Sequence, residues 1–308
     1  MRRVVITGMG VLTPIADNLK DYWKGLLEGA NGIGRITRFD PSEYYCQIAG
    51  ELKDFDPLKR LDKREIRKQD PFVIYALYAA AEAVEDAGLE GVDPKRVGVI
   101  IASGIGGLST LEREHRALLE RGPNRVSPYL VPTMIPDMAS GAVAMKWGFM
   151  GPNFCVSSAC ASSSHAIGVA LQAIRMGEAE VMLAGGTEAP ITPLALAGFS
   201  SARALSKRND EPERASRPFD AERDGFVMSE GAAVLVLEEL EHAKRRGAKI
   251  YAELAGYGAS ADAYHITAPH PEGEGAYLSM KWALEDAGVN PDEVDYINAH
   301  GTLSLIHI

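Results

Sequence analysis

Cys160 is the residue whose surroundings point most directly to chemistry. It lies in the run Val156-Ser-Ser-Ala-Cys160-Ala-Ser-Ser-Ser-His165, where an apolar strand over Asn153 to Ser157 meets a helix predicted over Cys160 to Met176. A thiol at that junction faces free backbone N–H groups and the positive end of the helix dipole, both of which favour thiolate. The small flanking residues let the chain turn sharply and leave room for a substrate. The arrangement resembles the strand–nucleophile–helix turn of hydrolases, with sulfur in place of oxygen. Cys155, inside the strand, reads as a small core residue. A nucleophilic thiol needs a partner, and the histidines are unequal in promise. His115 and His242 fall in charged helical stretches and read as solvated; His165 reads as structural; His265 and His270 fall in a polar loop. A strand is predicted at Val294 to Ile297, and His300 ends its buried stretch Asp295-Tyr-Ile-Asn298 and precedes Gly301-Thr302. Strand ends are where open α/β sheets build sites, although a core role for His300 stays open on spacing alone.

Two glycine-rich turns argue against nucleotide binding. Gly8-Met-Gly10-Val-Leu-Thr13 lacks the third glycine of a dinucleotide fingerprint, and Ser103-Gly-Ile-Gly-Gly107 has no Lys-Ser/Thr behind it. Both read as tight turns at strand ends. The stretch Lys59 to Lys68 holds six basic and two acidic side chains. If it is helical, Arg60, Arg64, Arg67 and Lys68 share one face, either a solvated surface or a docking patch for an acidic partner.

The elements that must position these groups alternate between strand and helix. Strands are predicted at Val4–Thr7, Val97–Ala102, Val181–Ala184 and Ala232–Leu237, and helices at Leu19–Leu27, Pro71–Ala87, Cys160–Met176 and Glu238–Arg246. The near-continuous apolar run of Val97–Ala102 suits a sheet covered on both faces. Alternation of this kind is an α/β layered fold. Ser206 to Asp224, dense in Arg, Asp, Pro and Ser, reads as a long surface loop.

An internal repeat organises the chain. Ala83-Val-Glu-Asp-Ala-Gly88 is echoed by Ala283-Leu-Glu-Asp-Ala-Gly288, each followed by a proline turn at Pro94 or Pro291, and Gly8-Met-Gly10 is echoed by Gly256-Tyr-Gly258. Two related α/β halves follow: residues 1–249 form the first and 250–302 begin a second, incomplete one. An incomplete second half is expected to leave a sheet edge unpaired and core surface exposed.

With 46% hydrophobic and 24% charged residues, the 308-residue chain is globular rather than disordered. A net charge of −10 disfavours general binding of nucleic acid or anionic lipid. Three cysteines (Cys46, Cys155, Cys160) make neither a disulfide framework nor a zinc site and fit a reducing cytoplasm. No signal peptide or membrane span is legible.

Five ordered motifs carry a family resemblance over residues 1–302. They are Val4-Val-Ile-Thr-Gly-Met-Gly10, the Cys160 run, Ala184-Gly-Gly-Thr-Glu188, Ser216-Arg-Pro-Phe-Asp220 with Arg223-Asp-Gly-Phe226, and Asn298-Ala-His-Gly-Thr302. Together they resemble the β-ketoacyl-[acyl-carrier-protein] synthases of bacterial type II fatty-acid synthesis. The resemblance implies a thiolase-like fold of duplicated α/β layers (αβαβα), a homodimer, and a decarboxylating Claisen condensation with an acidic acyl carrier protein as partner. It implies no metal and no organic cofactor. Cys160 and His300 would be catalytic. Ile105 and Phe199 would line the acyl pocket, and Thr267 and Thr302 would lie near the phosphopantetheine arm. Arg64, Arg67, Lys68 and Arg203 would dock the carrier protein. Polyketide ketosynthases and thiolases on the same fold, a Cys–His hydrolase, and a non-catalytic paralogue are the rivals. Leu303 to Ile308 departs from the family pattern and reads as a non-family tail behind a truncation, so the 308-residue chain is expected to be inactive and poorly stable.

Overall fold

A computed structural model of the chain describes residues 1–300. The chain divides into two compact units. The first takes Met1–Gly32, Gly50–Leu194 and Ser229–Leu254, and the second takes Ile33–Ala49, Ala195–Met228 and the residues from Ala255 onward.

The first unit is built on a five-stranded mixed sheet. Its strands are β1 (Val4–Leu12), β4 (Val97–Ala102), β5 (Val181–Glu188), β6 (Gly231–Glu239) and β7 (Ala252–Glu253), in the order β4-β5-β6-β1-β7. β4 and β5 are parallel, and the other pairs are antiparallel. Around it lie α1 (Leu19–Glu28), α2 (Lys63–Ile66), α3 (Pro71–Ala87), α4 (Leu108–Arg121), α5 (Leu130–Met134), α6 (Met138–Trp147), α7 (Ser162–Met176) and α9 (Leu240–Arg245). Val97, Val99 and Ile101 of β4 and Val181 and Leu183 of β5 share one core with α3 and α6. Side chains alternate along a strand, so the residues between them face the other way, where α7 packs on β4 and β5. The helix–sheet–helix layering expected from the alternating pattern is therefore present in this unit.

Local chemistry explains the central helix. The Asp70 side chain caps α3 at the N–H of Phe72, Pro71 occupies its first turn, and Gly88 closes it in the left-handed region at φ 59°. Its buried face is lined with small residues (Ala76, Ala79, Ala80, Ala83), which let β1 come close. A Cβ on Gly10 would lie 2.0 Å from the Ala79 carbonyl oxygen, and one on Gly8 would lie 2.5 Å from that of Ala83. Only glycine fits there.

The second unit contains β2 (Gly34–Arg35) paired antiparallel with β3 (Ile48–Ala49), the part of α8 (Pro193–Ser201) from Ala195, and α10 (Glu274–Ala287). The sequence repeat has a structural counterpart here. A Cβ on Gly256 would meet the Ala283 carbonyl oxygen at 2.4 Å, and one on Gly258 would meet that of Ser279 at 2.1 Å. Tyr257 donates its N–H to Asp286, as Met9 donates to Asp86 in the first unit. The same glycine-to-helix contact is thus built twice.

Several expectations need correction. Val294–Ile297 forms no strand: a ladder needs a partner, and these residues have none among those described. Tyr296 and Ile297 are exposed, as are Tyr277 and Trp282 of α10. Segment 153–157 makes a single bridge, Asn153 to Val99, rather than a paired strand. Residues 206–224 are loop apart from one 3-10 turn at Pro212–Arg214, as expected. His242 is not solvated. It pairs with the buried Glu238 at 2.5 Å, in a cluster with Arg246 and Thr7.

Candidate active site

Cys160 sits in the turn between segment 153–157 and α7, two residues ahead of the first helical residue. The helix starts at Ser162 rather than at Cys160 because Ala159 turns the backbone into the left-handed region at φ 52°. That conformation costs a non-glycine residue about 1–2 kcal/mol, and such strain collects where a side chain must be aimed. The surrounding hydroxyls hold it. Ser158 donates its N–H to Ser162 Oγ at 2.8 Å, and Ser162 Oγ donates to the Ala159 carbonyl at 2.6 Å. Ala161 and Ser162 donate their N–H groups to the Ser158 and Ala159 carbonyls. Neither bond uses the N–H of Cys160. His165 Nδ1 lies 2.6 Å from Ser158 Oγ, so this histidine serves the turn, in keeping with a structural reading.

The three thiols differ in surroundings. Cys160 is exposed, Cys155 is half-buried and Cys46 is buried. Burial pushes the Cys155 and Cys46 thiols up, which lowers their thiolate content at neutral pH.

Ile105 is 40% exposed, on the loop that follows β4. Its neighbour Gly104 brings this loop against the Cys160 turn: a Cβ there would lie 3.5 Å from the Ala159 carbonyl oxygen. The Cys160 turn and the Ile105 loop are therefore adjacent within the first unit. Arg64, Arg67 and Lys68 are exposed in the same unit. The shared helical face expected for them with Arg60 is absent, because α2 spans only Lys63–Ile66. Arg60 turns away to pair with Glu82 and Glu85. Lys68, at φ 65°, places its ammonium 4.0 Å from the centre of the Tyr129 ring.

In the second unit, Phe199 is half-buried edge-on to Phe226, with ring centres 5.4 Å apart. Arg203 is exposed at φ 55°. Thr267 is exposed and donates its N–H to His265 Nδ1 at 3.1 Å. His300 is exposed. Thr302 and the tail from Leu303 lie outside the described residues. Among the described residues, no cluster of three or more His, Cys, Asp or Glu side chains is placed to hold a metal ion. No helix among them is long and apolar enough to cross a membrane.

Comparison with known proteins decides the family. Residues 1–243 match the N-terminal domain of beta-ketoacyl synthases, and residues 251–306 match the C-terminal domain. The chain belongs to the β-ketoacyl synthase family. It is 54% identical over 303 residues to a 3-oxoacyl-[acyl-carrier-protein] synthase 2 of Synechocystis, covering 98% of this chain and 73% of that protein. Among solved structures it is similar to a beta-ketoacyl synthase from Burkholderia phymatum, at 39% identity and a TM-score of 0.89, covering 98% of this chain and 74% of that one. A type II PKS acyl-carrier protein in complex with its ketosynthase, bound to the hexaketide, matches at 34% identity and a TM-score of 0.88, with 98% and 73% covered. The synthase fold of this chain is thus the thiolase-like α/β type expected from its motifs.

Sequence reasoning missed two features of this synthase's site. The left-handed Ala159 is invisible because alanine seldom adopts that conformation. The second is Glu188, for which the one signal in the sequence is its position at the close of an otherwise apolar strand.

Proposed function

We propose that the chain is a 3-oxoacyl-[acyl-carrier-protein] synthase of fatty-acid elongation. The observation that carries this reading is an exposed cysteine in a strained turn entering α7, in a chain of this family. Cys160 Sγ attacks the acyl thioester of the carrier protein; the carrier thiol leaves, and the acyl group becomes a thioester on Cys160. Malonyl-carrier protein then binds and loses CO2. The electron pair released by that C–C cleavage forms an enolate, whose carbon attacks the Cys160 thioester carbonyl. The tetrahedral intermediate collapses, Cys160 thiolate departs, and a 3-oxoacyl chain two carbons longer remains on the carrier. Splitting the reaction at a covalent intermediate gives ping-pong kinetics.

Within this reading, His300 donates a hydrogen bond to the enolate oxygen, and the Cys160 N–H serves the acyl oxyanion. Removing one such donor costs about 100- to 1,000-fold in rate. Ile105 and Phe199 bound the acyl chain, and Thr267 and Thr302 contact the phosphopantetheine arm. Arg64, Arg67, Lys68 and Arg203 meet the acidic carrier protein, where charge pairing governs association more than chemistry. The two halves of the fold meet near residue 250. The protein acts as a cytoplasmic homodimer. Segment 153–157, beside the outer edge of β4 with Asn153, Phe154 and Ser157 exposed and in no strand ladder among the described residues, would offer its outer side to a second copy.

The expectation of an inactive chain is not part of this reading: purified chain supplied with octanoyl-carrier protein and malonyl-carrier protein should release CO2 and yield 3-oxodecanoyl-carrier protein, and absence of both products with Cys160 still open to iodoacetamide would restore that expectation. Free octanoic acid without malonyl-dependent growth would instead mark a hydrolase. Repeated extension without intervening reduction would mark a polyketide ketosynthase.

A further inference from the structure

We propose that Glu188 is a positioning residue that clamps the 103–107 loop, with Ile105 on it, against the turn carrying Cys160; its catalytic consequence rests on the condensing reading above. Glu188 ends β5 with its carboxylate turned into that loop. Oε1 accepts the Ser103 hydroxyl at 2.8 Å and Oε2 accepts the Gly104 N–H at 2.7 Å. Ser103 Oγ in turn accepts the Gly106 N–H at 2.9 Å, so one carboxylate organises a succession of loop donors.

Both sides of the clamp are braced. A Cβ on Gly186, two residues before Glu188, would lie 1.9 Å from Ser163 Oγ in the first turn of α7. A Cβ on Gly104 would sit 3.0 Å from Glu188 Oε2 and 3.5 Å from the Ala159 carbonyl oxygen. The loop backbone is therefore held between the carboxylate and the residue that precedes Cys160. No Lys or Arg pairs with Glu188 among the described residues, and burial pushes its carboxyl above the usual range despite the donors. A carboxylate held in this way, with no cation to offset its desolvation, is unfavourable for stability alone. Its symmetric pair of acceptors suits the loop's donors in a way an amide cannot reproduce.

The test uses the full chain as wild type, Glu188→Gln and Ser103→Ala. Hydrogen exchange mapped by peptide should rise about tenfold or more over 103–107 in Glu188→Gln while the β4 core over 98–101 stays unchanged. Transfer of an octanoyl group from octanoyl-carrier protein to Cys160 should fall about tenfold or more. Iodoacetamide labelling of the exposed Cys160 should change by less than about threefold, since the thiol itself stays accessible. A residue that merely stabilises the fold would move all three readouts together. Unchanged exchange over 103–107, or a loosened loop with unchanged acyl transfer, overturns the proposal. Ser103→Ala removes one donor and keeps the carboxylate, so it decides the matter if Glu188→Gln does not fold. Failure of wild-type Cys160 to accept any acyl group counts against the condensing reading, while the exchange result still decides whether the clamp exists.

Discussion

The reactivity assigned to Cys160 depends on the residue before it. Ala159 holds φ at 52° so that the chain leaves segment 153–157 and enters α7 within a few residues, with the thiol at the surface. Replacing Ala159 with glycine relieves that strain and should raise stability by up to about 1 kcal/mol with acyl transfer retained. Replacing it with valine, whose branched Cβ tolerates this region poorly, should lower stability by about 1–2 kcal/mol or more and depress acyl transfer further than the stability loss accounts for. Thermal melts paired with rates of Cys160 acylation check both. Valine behaving like wild type in both would show that the turn carries no strain. The sharp turn into a helix at Cys160 is legible in sequence, because small residues follow an apolar segment there. The strain was not, since nothing in an alanine announces a left-handed backbone. The contact of His165 with Ser158 follows only from the turn's geometry.

At the scale of elements, the twofold use of a glycine pair against an alanine-lined helix face stands out. Gly10 and Gly258 each leave about the same clearance to a helix carbonyl, 2.0 Å and 2.1 Å for an added Cβ. Backbone cannot step aside as a side chain can, so Gly10→Ala and Gly258→Ala should each cost about 3 kcal/mol, read as a lowered denaturant midpoint. A loss under about 0.5 kcal/mol at either site would mean that the close approach is not real. At the other end of the sheet, Glu238 of β6 is buried among Arg246, His242 and Thr7. Burial pushes its carboxyl up, but hydrogen bonds from Arg246, His242 and Thr7 outweigh that and hold it below the usual range. Its stabilising contribution is complete above the unfolded-state value of about 4.3 and disappears as pH falls through the lower folded value. Glu238→Gln should therefore lose about 3 kcal/mol at pH 7, and the gap to wild type should narrow steadily as pH falls below about 4.3. A gap independent of pH would assign the effect to packing.

Much of this layer could be read beforehand. Pro71–Ala87 and Val97–Ala102 have the bounds that Asp70-Pro71, Gly88 and an unbroken apolar run suggest. α4 is legible only as the charged helical stretch around His115, without bounds, because its start has no side-chain cap to mark it. Nor was the antiparallel insertion of β6 between β5 and β1, because pairing partners far apart in sequence leave no local trace.

For the whole molecule, the net charge of −10 makes the exposed cations around Arg64, Arg67 and Lys68 conspicuous. Arg60 belongs to an internal ion-pair set with Glu82 and Glu85, so the available surface is narrower than the run of basic residues suggests. Reversing charge at Arg64 and Arg67 together should raise KM for acyl-carrier protein about tenfold or more at low salt and leave turnover of a small acyl-pantetheine thioester unchanged. Equal loss on both substrates would place the defect in the fold rather than in docking. The account as a whole turns on where the acyl group goes. The most direct measurement is peptide-mapped mass spectrometry of the chain after incubation with octanoyl-carrier protein alone. The expected result is one octanoyl adduct, on the Cys160 peptide, which disappears when malonyl-carrier protein is added and the 3-oxodecanoyl product appears. An adduct on Cys155 or Cys46 instead, or none on a Cys160 that iodoacetamide still labels, would contradict it.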